Sequence, residues 1–393
     1  MTDTSRSGAP PLAGVRVLDL SALGPGPFCS MLLADFGADV ISVERPETPA
    51  LDPAKYLSRG KRSAIVDLRR PHGAEVIARL AEHCDVLLES NRPGTMERRG
   101  LGPDVLCARN PRLIYARLTG WGQDGPYSAR AGHDINYTAV SGALGAIGAD
   151  APVPPLAMVG DLAGGSLMTA LGIVMALFER TVTGMGQVVD GAIVDGSALL
   201  GITHLAELSA GIWPGRGKHV LSGVAPFYGV YACADGHFFA VGAIEPKFYA
   251  QFLAALGMDD VDVSRQMDTA TWPALRERVA AAFRTKPRSH WTAVFANIDG
   301  CGSPVLELDE LAEDPHLRAR GTVVTGPDGA VTSAPAPGCR AAPVRFGRHR
   351  RHGAPTPERC SARRGSAPTR STRWPPTGPL SPRTDETSVT RSR

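Results

Sequence analysis

Val15-Arg16-Val17-Leu18-Asp19-Leu20, then Gly24-Pro25-Gly26-Pro27, then an apolar run closing on Phe36-Gly37, then Val40-Ile41-Ser42-Val43 follow one another near the start of the chain. The outer stretches read as strands. The middle reads as a turn and a helix, with Gly37 suited to ending it in a left-handed conformation. The alternation continues, with strands expected over 63–68, 85–88 and 114–118 and a helix over 73–83. Strands separated by helices of this length predict a largely parallel α/β sheet.

Further along, the apolar run from Leu162 to Phe178 reads as a buried helix ending near Gly184. Its glycines set it apart from a membrane span, and no other window of about 18 apolar residues is expected to cross a bilayer. Strand and turn follow at 187–195 and a helix at 196–210. The Gly-rich stretch 211–224 reads as a linker. After it, Phe227–Cys233 and His237–Ala243 flank Asp235-Gly236, a hairpin signal. Helices are expected at 246–256, 273–284 and 289–296, and strands at 304–308 and 321–325. A length of 393 residues allows two domains, and 43% hydrophobic residues supply a core for each.

The net charge of +3 conceals a division. Residues 338–393 hold 13 Arg against 3 acidic residues, so the rest of the chain is net acidic. That final stretch is Arg/Pro-rich, poor in aliphatic residues and without period; it reads as disordered, or as the product of a reading-frame change. An Arg-rich segment could bind nucleic acid or anionic lipid, but disorder without a ligand is the simpler reading, so neither nucleic acid nor a membrane is expected as a partner. The 7 Cys show no C-x-x-C and no metal-type spacing, so no metal is expected. With no basic and apolar leader visible, a cytoplasmic protein is expected.

Single residues carry weaker signals. Gly24-Pro25-Gly26 opens a helix after a strand, but Cys29 replaces the third glycine of a dinucleotide fingerprint and two prolines remove amide donors. Arg45, Lys55, Arg59, Lys61, Arg62, Arg69 and Arg70, followed by Arg92, Arg98 and Arg99, form a basic cluster suited to a phosphorylated nucleotide or simply to water. His133 is a candidate base, with Asp134 behind it as a natural N-cap. Asp161 and Glu245 each stand at an expected helix start, where a cap or first-turn acid is the ordinary role.

Three stretches taken together are more specific. Leu18–Arg45, Leu113–Gly148 and Val159-Gly160-Asp161-Leu162-Ala163-Gly164-Gly165-Ser166 resemble the family III CoA-transferase superfamily. Gly132-His133-Asp134-Ile135-Asn136-Tyr137 and Val241-Gly242-Ala243-Ile244-Glu245-Pro246 resemble its α-methylacyl-CoA racemases in particular. The likeness runs from about residue 12 to 337. It implies an interlocked homodimer. In it, residues 1–210 form a large Rossmann-like CoA-binding domain with a chain return at about 321–337, and residues 225–320 form a smaller α+β domain. It implies His133 and Asp161 as an acid/base pair, with Glu245 supplied by the partner subunit. It implies CoA contacts from Arg45, Val66, Asp67, Leu68, Arg69, Ser90, Asn91, Arg92, Arg98, Gly132, Asp134 and Tyr137. No cofactor is needed beyond the CoA of the acyl-CoA substrate. The reaction implied is interconversion of (2R)- and (2S)-2-methylacyl-CoA through an enolate. The alternatives are a CoA-transferase with Asp161 as nucleophile, and an impaired CoA-binding homologue.

Overall fold

The computed structural model describes residues 9–22, 24–45, 53–325, 329 and 331–338. All but the first residue of the 338–393 segment lies outside the described residues.

The first half of the chain alternates strand and helix. β1 (Arg16–Asp19) leads into α1 (Pro25–Asp35), β2 (Asp39–Glu44), β3 (Arg62–Ile65), α2 (Pro71–Ala81), β4 (Val86–Glu89), α3 (Pro103–Arg109) and β5 (Ile114–Thr119). After α4 (Asp134–Val140) and α5 (Ala143–Ala146), a wide, π-type helical segment over Met158–Leu167 runs into α6 (Met168–Thr183), and β6 (Val188–Ala192) follows. The six strands form one sheet in the order β3-β2-β1-β4-β5-β6, and each neighbouring pair is parallel. Alternation along the strands builds two cores. Val17, Val86, Leu88, Ile114 and Ala116 pack with Cys29 and Leu33 of α1 and Ile173 and Ala176 of α6. Leu18, Leu87 and Tyr115 point the other way, against Ile77 and Ala78 of α2 and Leu106 of α3.

Prolines set several helix starts. Pro25, Pro71 and Pro103 stand in the first turn of their helices, where the missing amide costs nothing. Gly184 ends α6 in the left-handed region, as expected.

Three expectations change. The 196–210 helix is broken at Gly201 into α7 (Ile193–Leu200) and α8 (Ile202–Ser209). The strand read at 63–68 stops at Ile65, which frees Val66–Arg69 as a loop beyond the sheet's edge. The 158–183 stretch, for all its glycines, is long and apolar enough to cross a membrane by length and composition, a test that the core helix of a globular protein also passes. Its apolarity serves two faces. Thr169, Ile173, Ala176 and Arg180 are buried, and Arg180 is paired with Asp85 at 2.9 Å. Leu171, Met175, Phe178 and Val182 are exposed.

Residues after 224 build a second sheet and core. β7 (Tyr228–Ala232) and β8 (Phe238–Gly242) are the expected hairpin, and β9 (Gly302–Pro304) pairs with β8 in place of the strand read at 304–308. Pro304 has no amide to extend the ladder, and the chain leaves after Val305 donates to the Phe238 carbonyl. α9 (Pro246–Ala255), α10 (Trp272–Phe283) and α11 (Arg288–Phe295) cover the sheet through Tyr249, Phe252, Trp272, Phe283 and Trp291. After α12 (Pro315–Arg320), a small hairpin of β10 (Val323–Thr325) and β11 (Val331–Ser333) follows. It touches the first sheet's side of the molecule through Arg59, which donates to Ser333 O at 2.5 Å.

Candidate active site

A sheet of this order sends its connections from β1 and β4 in opposite directions, which opens a crevice beyond their C-terminal ends. A cavity of about 1150 Å³ lies there. Ser21, Gly24 and Pro25 line it after β1, Arg45 after β2, Val66, Asp67, Leu68 and Arg69 after β3, and Ser90, Asn91 and Arg92 after β4. Gly120 and Trp121 after β5 complete the wall, with Gly132, His133, Tyr137 and Asp161.

The β1 corner is held by a buried lysine. Lys61 Nζ donates to Pro27 O at 2.8 Å and Ser30 Oγ at 2.6 Å, and lies 3.3 Å from Asp19 Oδ2. Lys61 and Asp19 are both buried, so each charge depends on the other. The loop thus fixed passes under Asp161: a Cβ built on Gly24 would stand 3.6 Å from Asp161 Oδ2. Ser166 Oγ ties the two segments by donating to Pro25 O at 2.7 Å.

Asp161 is placed by an unusual turn. Leu156 and Ala157 both take positive φ, 51° and 62°, and the chain then enters the wide helical segment. Consecutive non-glycine residues in the left-handed region are strained and mark functional places. Asp161 therefore lies inside a wide turn and not at a cap. Its amide donates to Asp134 Oδ1 at 2.8 Å, and Gly160 permits this closeness because a Cβ there would stand 2.2 Å from the same oxygen. Partial burial, with the Asp134 charge alongside, pushes the Asp161 carboxyl up to about 6, and His133 opposes the shift without cancelling it. His133 and Asp161 are thus close enough for their charges to interact.

Asp134 is not the cap it was expected to be. The extended residue before α4 is His133; its amide donates to Asn136 Oδ1 at 3.0 Å while Asn136 N donates to His133 O at 2.8 Å. This box fixes the backbone of His133 and leaves its ring on the exposed side of the cavity wall. Asp134 spends its carboxylate on Asp161 and is not part of the cavity wall. Tyr137 OH donates to Gly132 O, and burial with the Asp161 charge raises its phenol above the usual range.

The basic cluster divides. Arg59 pairs with Asp35, Lys61 with Asp19, and Arg62 with Asp39. Arg69 and Arg70 hold Asp67, whose carboxyl falls to about 2 through its hydrogen bonds with Arg69. Lys55's side chain lies outside the described residues. Arg98 does not line the cavity and donates to Thr95 Oγ1; its neighbour Arg99 lines it. Arg45, Arg92 and Arg99 reach the cavity without a carboxylate partner among the described residues. Arg130, stacked 4.1 Å from the Tyr127 ring, is a further lining cation that the sequence reading passed over.

Glu245 does not line this cavity. It is exposed at the start of α9, on the second core, where its charge lies near the Cys301 thiol and raises it further, after burial.

A sequence profile of CoA-transferase family III matches residues 12–359. Human alpha-methylacyl-CoA racemase is 46% identical over 329 residues, covering 83% of this chain and 86% of that protein. The succinyl-CoA–D-citramalate CoA-transferase of Chloroflexus aurantiacus is 36% identical over 344 residues, covering 80% and 83%. Among solved structures, a CAIB/BAIF family protein from Brucella suis superposes with a TM-score of 0.74 at 27% identity, covering 89% of this chain and 97% of that one.

Proposed function

We propose that this chain, which belongs to CoA-transferase family III, is an isomerase that interconverts the C2 epimers of 2-methylacyl-CoA thioesters. The observation that carries the reading is His133 and Asp161 on one cavity wall, within range of each other's charge. Epimerisation removes a proton from one face of C2 and returns one to the other, so it needs two groups in opposite protonation states. An Asp whose carboxyl is held near 6 passes between those states at neutral pH. Arg45, Arg92 and Arg99, which have no carboxylate partner among the described residues, are suited to the CoA phosphates. The loop Val66–Arg69 and residues Ser90 and Asn91 would flank the rest of that moiety.

Glu245 enters the reading through a second subunit. Exposed apolar side chains favour that arrangement: Leu171, Met175, Phe178 and Val182 on α6, and Ile202, Leu205 and Leu208 on α8. A surface of this kind marks an interface, and a second copy of the chain would cover it. The reading therefore includes an interlocked homodimer whose large Rossmann-like domain, residues 1–210 with the return at 321–337, meets the partner's small domain, residues 225–320.

The experiment is proton exchange in deuterated water with a single epimer of a 2-methylacyl-CoA, followed by NMR. Loss of the α-proton signal with appearance of the other epimer is expected. Absence of exchange by a folded, CoA-binding protein overturns the reading. Mixing inactive His133→Ala and Glu245→Gln proteins under subunit exchange tests the shared site. Activity returns if each site draws His133 and Glu245 from different chains, and stays absent if one chain supplies both.

A further inference from the structure

We infer that His204, Glu207 and His219 form a site for a divalent transition-metal ion of the zinc class, away from the cavity described above. His204 and Glu207 share a face of α8, three residues apart. His219 is distant in sequence and is delivered by a chain reversal: the amides of Ile212 and Trp213 both donate to the Glu207 carbonyl, at 2.9 and 3.2 Å. His204 Nδ1 then stands 3.3 Å from Glu207 Oε2, and His219 Nε2 stands 3.2 Å from Glu207 Oε1. The three ligand atoms all lie within 4.8 Å of one another.

The spacing points to a metal. Charge-assisted hydrogen bonds between nitrogen and carboxylate close to about 2.7–2.9 Å. Ligands at about 2.0–2.1 Å from a tetrahedral ion stand about 3.3 Å apart. Both separations stand near the second value, each to a different oxygen of Glu207, and since the three ligand atoms lie within 4.8 Å of one another the side chains close in as the ion binds. Two imidazoles with one carboxylate favour zinc, copper or nickel over magnesium or calcium. Trp213 supplies an apolar wall, its ring stacked 5.5 Å from His219 and tilted 5.1 Å from His204. Three protein ligands leave a fourth position for water.

One contact opposes loading. Leu221 N–H donates to His219 Nδ1 at 3.1 Å, capping the turn at 220–222. Coordination through Nε2 puts the ring proton on Nδ1, so that bond must break. The Leu221 contact and the two hydrogen bonds between Glu207 and the imidazoles are exchanged for three metal bonds, which favours the ion.

The test uses the full chain, freed of metal by a chelator, with Zn²⁺ alone competed against a chromophoric chelator. His219→Asn keeps an acceptor for the Leu221 amide and so preserves the turn; Glu207→Gln removes the bridging charge. The native chain is expected to bind one Zn²⁺ that each variant holds at least about 100-fold more weakly. Co²⁺ is expected to quench tryptophan fluorescence through Trp213, and Trp213→Phe to remove that quenching. Equal Zn²⁺ affinity in the native chain and His219→Asn, or quenching that survives in Trp213→Phe, overturns the assignment.

Discussion

Replacing Asp161 with Asn should abolish epimerisation and, above neutral pH, make the protein more stable. Its carboxyl is raised from 3.8 to about 6, chiefly by burial and then by Asp134. A raised carboxyl favours the protonated folded state. The native chain therefore has its full stability from this group below about pH 4, and loses it as pH rises through about 6. Two units correspond to about 3 kcal/mol. Asp161 is only half-buried, and screening reduces this to about 1.5 kcal/mol at pH 8. Asn keeps the shape and carries no charge, so the variant avoids that cost. With an unfolding entropy of about 2.1 cal/mol/K per residue, the gain is about 2 °C in Tm at pH 8, shrinking towards zero near pH 4. Paired thermal melts at the two pH values measure it. A Tm difference that does not change with pH, or a native chain more stable than the variant at pH 8, refutes the argument that a charge is being held at a cost in this site.

Other perturbations test separate parts of the molecule. His133→Ala should eliminate α-proton exchange while CoA still binds, as read by NMR exchange beside calorimetry with CoA; retained exchange would remove His133 from the chemistry. Arg92→Met should cost about 1.5–3 kcal/mol of a charge-assisted contact, raising KM roughly 10–100-fold and flattening its salt dependence. Lys61→Met should strand the buried Asp19 charge and cost about 3–5 kcal/mol in denaturant unfolding, with Asp19→Asn added to it restoring most of the loss. Phe178→Arg on the exposed face of α6 should release monomers in sedimentation and lower activity with them; an unchanged oligomer would move the interface elsewhere.

The sequence was most informative where periodicity or a motif was strong. Val15–Leu20 and Val40–Val43 read correctly as strands of a parallel sheet, and Gly184 as a helix end. His133 and Asp161 stood out only through the motifs around them, since a polar-loop histidine and a helix-start aspartate have ordinary roles elsewhere. What was hidden depends on strand register. Lys61 and Asp19 lie in separate strand regions, and only folding shows that their charges cancel, so the basic cluster looked larger than the cavity's share of it. Asp134 looked like a cap because it precedes an apolar run; its contact with Asp161 follows from the wide turn at 158–167, which local propensity does not announce. Glu245 showed the opposite limit: one chain places it at the start of α9, outside this cavity, and the role proposed for it would need a second subunit.

The protonation of Asp161 also separates the isomerase from the transferase within this family. A transferase would use this carboxylate as a nucleophile, which works best fully ionised, with a low pKa. An acid/base group works best with its pKa near the operating pH. Here burial, Asp134 bonded to the Asp161 amide, and the loop at Gly24 beneath the carboxylate hold the pKa at about 6. Asp134→Asn isolates this effect, since the amide oxygen can still accept from Asp161 N–H while the charge is gone. The variant's Asp161 should titrate lower. As an isomerase, its pH–rate profile should shift its acid limb down and lose rate at neutral pH, with CoA affinity unchanged. If Asp161 instead serves as a nucleophile, the same variant should transfer CoA to acceptor acids at an equal or higher rate. Opposite signs from one substitution distinguish the two chemistries on one scaffold.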